Sequence, residues 1–160
     1  MTTSNIQFPC PVRRIRLVWH DGQWQIQKQV RIASMTLPKS STLPSVPRGR
    51  SLTGAWFETV DTQGRTLYRR LIDNPAQSIE VIGAASGEFT RIPISDENII
   101  LDVLVPDVPE IEALLLYASA QPLDTQQAVA QRSAARVVAT FNLREDERNI
   151  PTEEEDNGNN

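Results

Sequence analysis

Few side chains in this 160-residue chain carry the groups that acid–base, nucleophilic or metal chemistry needs. His20 stands beside Asp21, the pairing a carboxylate-oriented base would use. Neighbours on an extended strand point to opposite faces, however, and Asp21-Gly22 is a strong two-residue hairpin signal. A turn is expected there, not a catalytic dyad. Cys10, the only cysteine, sits between Pro9 and Pro11 in a segment that reads as extended and exposed, with no feature tuning it toward thiolate. One histidine and one cysteine are too few for a zinc site. Asp102, Asp107, Glu110 and Glu112 could offer oxygens to calcium, but they lack the dense spacing of a loop cage and read as solvated charges. No phosphate-binding glycine loop, dinucleotide fingerprint or nucleophile elbow occurs, so no cofactor is expected.

The arginines carry the stronger electrostatic signal. Arg13, Arg14 and Arg16, then Arg48 and Arg50, then Arg65, Arg69 and Arg70 would form a basic surface if they met on one face. The net charge of −4 is concentrated at the C-terminus. Residues 144–160 hold seven acidic and two basic side chains, leaving 14 basic and 13 acidic in the body. A nearly neutral body without basic–aromatic interleaving argues against nucleic acid, whose backbone demands a larger positive field. A solvated sheet face, or a patch receiving an acidic protein surface, is the preferred reading.

The elements that must position these residues read as strands. Ile15, Leu17 and Trp19 alternate before His20-Asp21-Gly22-Gln23. Trp24, Ile26, Val30 and Ile32 are then expected on one face of the return strand, with Gln23, Gln25, Gln27, Gln29 and Arg31 on the other. Lys28 falls on the apolar side, which predicts an edge position or a bulge nearby. Residues 37–50, with three prolines, read as a long connection. Segments 54–60 and 65–72 flank Asp61-Thr62-Gln63-Gly64, a type I turn closed by a left-handed glycine. Short strands follow at 78–82 and 89–94, and stronger ones at 98–105 and 111–118. Beyond Gln121 a short helical or irregular link is expected near 124–135, with Asp124 as the cap of its helical form, and 136–143 then reads as a last strand. Trp19 and Trp24 are expected to pair across the first hairpin, and Trp56 to fill the space between sheets.

These signals describe one antiparallel β-sandwich of about seven or eight strands over residues 13–143, with an irregular leader at 1–12 and a disordered acidic tail at 144–160. Gly54-Ala55-Trp56-Phe57-Glu58, Gly64 to Arg70 and Ile100 to Pro109 resemble small bacterial immunoglobulin-like sandwich domains. The resemblance implies an immunoglobulin- or fibronectin-like sandwich with an accessory or adhesive role. It carries over no catalytic residue and lacks the usual cysteine pair.

The reading for function is a non-catalytic protein-interaction or accessory module of a bacterial system, using sheet faces or edges and engaging a protein partner or another copy of itself. The candidate binding residues are Arg13, Arg14, Arg16, Gln25, Gln27, Gln29, Arg31, Arg69 and Arg70. Two other classes stand beside it: an anionic-ligand or nucleic-acid binder using the arginines, and a small enzyme with Glu58 and Asp61 in a site built from loops 37–50 and 83–88. The single cysteine and the absence of a visible signal peptide or membrane span point to the cytoplasm.

Overall fold

The computed structural model describes residues 6–45, 52–73, 79–82, 89–92, 99–119 and 134–144. The expected helical or irregular link near 124–135, the acidic tail beyond Arg144 and the loop at 83–88 lie largely or wholly outside these residues.

Alternating apolar residues and tight turns produce two antiparallel sheets and a separate hairpin. The first sheet holds β1 (Cys10–His20), β2 (Gln23–Met35) and β7 (Ile100–Pro106) in the order β2-β1-β7. The second holds β3 (Ala55–Val60), β4 (Thr66–Ile72), β8 (Ala113–Ala118) and β9 (Arg136–Asn142) in the order β4-β3-β8-β9. Strands β5 (Ile79–Ile82) and β6 (Phe89–Ile92) pair with each other. The described part is therefore all-β, with antiparallel pairing throughout. In the immunoglobulin arrangement the second strand lies inside its sheet; here the first does. Strand β1 begins at Cys10, so the leader expected to run to residue 12 ends earlier, and Cys10 is half-buried in a strand rather than exposed in a coil.

Both turn signals hold. Asp21 and Gly22 have φ of 49° and 76°, the double left-handed geometry of a type I′ hairpin. Gly64 has φ of 73°. Asp61 Oδ1 accepts from the N–H groups of Gln63 and Arg65, both at 2.9 Å, and so fixes that loop.

The core lies between the sheets. Ile15, Leu17, Val103 and Val105 from the first sheet and Leu114 and Leu116 from the second are 0–1% exposed. Trp19 and Trp24 meet edge to face across the first hairpin, as expected, with ring centroids 5.6 Å apart. Phe57, not Trp56, joins this core. Trp56 is also buried, but β3 alternates, so its ring lies on the opposite face, stacked on Tyr117 at 4.9 Å.

The return strand departs from simple alternation. Arg16 pairs with Lys28 while Leu17 pairs with Ile26, which leaves Gln27 as the extra residue of a bulge. A one-residue slip exchanges the two faces. Trp24 and Ile26 therefore lie opposite inward-facing Trp19 and Leu17, whereas Gln29 and Arg31 oppose the inward-facing Ile15 and Arg13. Val30 and Ile32, expected beside Trp24, pair with Arg14 and Val12 instead.

Candidate functional site

The bulge determines where the charged side chains go. Arg13 lies on the inner side of β1, is 2% exposed, and is paired across the ladder with Arg31. Like charges directly opposite repel. Asp107, immediately after β7, sits between them: Arg13 Nη2 donates to Oδ1 at 2.5 Å, and Arg31 Nε donates to Oδ2. Arg13 Nη1 also donates to the Leu143 carbonyl at 2.8 Å, tying the end of β9 to the first sheet. Asp107, expected to be a solvated charge, is instead the anion at the centre of a cross-sheet clamp.

Arg144 completes this end of the sandwich. Its Nε lies 2.9 Å from Glu112 Oε2, and its Nη2 donates to the Pro109 carbonyl. Between these groups opens a cavity of about 440 Å³ lined by Pro11, Arg31, Asp107, Val108, Pro109 and Arg144. Side-chain exposure is 35% at Arg31 and 47% at Arg144, so both lining guanidiniums reach solvent, whereas Arg13, 3% exposed, lies outside the lining. Proline provides no backbone N–H, which leaves the guanidiniums as the strong donors in this lining.

The other predicted residues do not converge here. Arg14 and Arg16 are on the outer side of β1, where Arg16 grips Asp102 through two bonds of 2.8 Å. Those bonds hold the Asp102 carboxyl below the usual carboxylate range. Gln25 and Gln27 are exposed and Gln29 is half-buried; the bulge splits them between faces, so the expected glutamine–arginine surface does not exist as one surface. Arg69 and Arg70 are adjacent on β4 and therefore point to opposite sides of the second sheet. Arg69 Nε donates to Glu58 Oε1 at 2.7 Å on the side that bears Trp56.

Glu58 and Asp61, the residues of the enzyme reading, are engaged separately. Glu58 accepts from Trp56 Nε1, Thr66 Oγ1 and Arg69 Nε. Asp61 accepts from the Arg65 N–H, which with Arg65 Nε and the Gln63 N–H lowers its pKa. His20 Nε2 does lie 3.2 Å from Asp21 Oδ2, contrary to the opposite-face expectation, because Asp21 is in a left-handed turn and not extended. Both side chains are well exposed, at 67% and 81%, which leaves the pair in water. Among the described residues, no three of His, Cys, Asp and Glu gather as a metal site would require.

Arg144 and the Arg13–Asp107–Arg31 clamp were not readable as a site. Arg144 was assigned to the tail, and Asp107 lies 94 residues from Arg13 in sequence. The one local signal was an arginine at an inward position of an alternating strand, which calls for a buried counter-ion. No family model, no curated protein and no solved structure matches this chain.

Proposed function

We propose that this protein is a non-catalytic interaction module that recruits a protein partner by strand addition to β7. The observation that supports this reading is the open edge of that strand. Trp19 N–H donates to the Ile99 carbonyl and Asp107 N–H to the Pro11 carbonyl. With one-to-one register between β1 and β7, the odd-numbered residues of β7 face β1. The backbone groups of Ile100, Asp102 and Leu104 therefore face away, and among the described residues no strand pairs with them. The β4 edge differs: Ser41 N–H donates to the Arg69 carbonyl, and the Ser40 and Ser41 hydroxyls accept from Arg69 and Leu71. Among the described residues, the Ser40–Ser41 segment engages the β4 edge, and no strand lies beside the β7 edge. Ile100, 52% exposed, adds an apolar contact beside the open one.

The engaged carboxylates favour this over the enzyme reading, since Glu58, Asp61, Asp102 and Asp107 all accept from arginine. A bacterial, cytoplasmic setting belongs to the same proposal. To test it, the immobilised full chain is incubated with lysate of its native host beside Leu104→Pro, which removes an outward N–H without touching the β1 ladder. Capture of a discrete partner by the parent chain and not by the variant is expected. Amide exchange at Ile100, Asp102 and Leu104 should slow in the complex. A partner retained by the variant, with those amides unprotected, sinks the reading.

A further inference from the structure

We infer that the groove between Arg31 and Arg144 is a binding site for a carboxylate carried on an acidic, partly apolar peptide segment. It lies at the Arg13–Asp107 end of the sandwich and is separate from the β7 edge, so its failure leaves the strand-addition reading standing.

The site is built from arginines oriented by carboxylates. Among the described residues the guanidiniums of Arg13, Arg31 and Arg144 meet the carboxylates of Asp107 and Glu112. Arg13 and Asp107, with side-chain exposures of 3% and 9%, anchor the assembly. Arg31 is bound to Asp107 through Nε, and Arg144 uses Nε and Nη2. Among the described residues no partner takes the Nη atoms of Arg31 or the Nη1 atom of Arg144. Two partly exposed guanidiniums, each oriented by a carboxylate, thus flank one cavity with donors to spare. Guanidinium forks match planar carboxylates in geometry.

The rest of the lining selects among anions. Asp107 itself lines the cavity, and Glu112 lies behind Arg144. These carboxylates offset much of the arginine charge, which disfavours a phosphate dianion relative to a carboxylate monoanion. A nucleic-acid backbone is disfavoured further by a body whose basic and acidic side chains nearly cancel. Pro11, Val108 and Pro109 supply apolar walls. They suit the methylenes of a glutamate and the apolar residues beside it, and a cavity of about 440 Å³ accommodates a side chain with its neighbours.

The test uses the full chain and a fluorescein-labelled Leu-Glu-Pro-Glu-Leu peptide, followed by anisotropy at low ionic strength. Arg144→Gln removes a rim donor outside every ladder. Arg16→Gln removes an equal charge from the outer face and serves as the control. Saturable binding is expected, weakened about tenfold by Arg144→Gln and unchanged by Arg16→Gln. With both peptides amidated at the C-terminus, the Leu-Gln-Pro-Gln-Leu peptide should not bind, and inorganic phosphate should compete poorly. Thermal melting reports whether each variant remains folded. Equal weakening by both variants means generic charge attraction and overturns the site. So does absence of peptide binding, equal binding of the glutamine peptide, or phosphate binding as tight as the peptide. If Arg144→Gln lowers the melting temperature, chemical-shift changes in the parent chain decide: they must fall on Val108, Pro109 and Arg31 for the site to stand.

Discussion

Asp107 holds two arginines that would otherwise face one another across the β1–β2 ladder. Neutralising it takes from buried Arg13 the carboxylate that its Nη2 donates to. Asp107→Asn is therefore expected to cost about 3 kcal/mol, read by urea denaturation, because removing one partner strands a charge that folding has desolvated. Asp102 makes a different prediction. Its pKa is lowered chiefly by the Arg16 hydrogen bonds, so its contribution is present above the unfolded-state value of about 3.9 and is lost as pH falls through the lower native value. The melting temperature of the parent protein should drop more steeply below about pH 4 than that of Asp102→Asn. Parallel acid limbs for the two proteins would contradict this. At the alkaline end, burial raises the Tyr68 phenol. Its stabilisation is complete below about pH 10 and is lost as the native phenol ionises.

Two elements depend on a single backbone feature each. At Gly64, φ is 73° and an added Cβ would meet nothing within 4 Å, so Gly64→Ala tests conformation without a clash. The expected loss is about 1–2 kcal/mol in thermal or urea unfolding. The second feature is the bulge at Gln27. Deleting Gln27 removes the extra residue and joins Ile26 to Lys28 in an unbroken ladder, so Arg31 stays opposite Arg13 and beside Asp107. The deletion is expected to keep the Arg13–Asp107–Arg31 clamp, visible as retained guanidinium and carboxylate correlations in NMR spectra, and loss of those correlations would contradict this register. Lys28 at an apolar position was the sequence signal for this bulge. The signal located the irregularity but not its consequence, because which residues face inward beyond a bulge depends on its register with β1.

For the molecule as a whole, stability rests on the layer between the sheets. Leu114→Ala and Leu116→Ala remove side chains that are 0% exposed and should each cost about 2–5 kcal/mol. Leu71→Ala, at a position 50% exposed, should stay within about 0.5 kcal/mol. Equal losses at Leu71 and Leu116 would place the core elsewhere. This layer was legible in advance from Ile15, Leu17, Val103 and Val105 at alternating positions. Trp56 was assigned to it wrongly. Alternation states that adjacent Trp56 and Phe57 point opposite ways; it does not state which way is in, and both sides of β3 are buried.

Period-two burial and two glycine turns were properties of neighbouring residues, and the chain alone determined them: an all-β, antiparallel protein with hairpins at Asp21-Gly22 and Asp61–Gly64. Only the tertiary structure decided that β7 and β8, close in sequence, belong to different sheets. It also decided that Arg13 meets Asp107 and the Leu143 carbonyl from 94 and 130 residues away. The physical reason is range. Alternation and turn chemistry act within a few residues, whereas a buried guanidinium takes its counter-charge from whichever segment the packed sheets bring beside it.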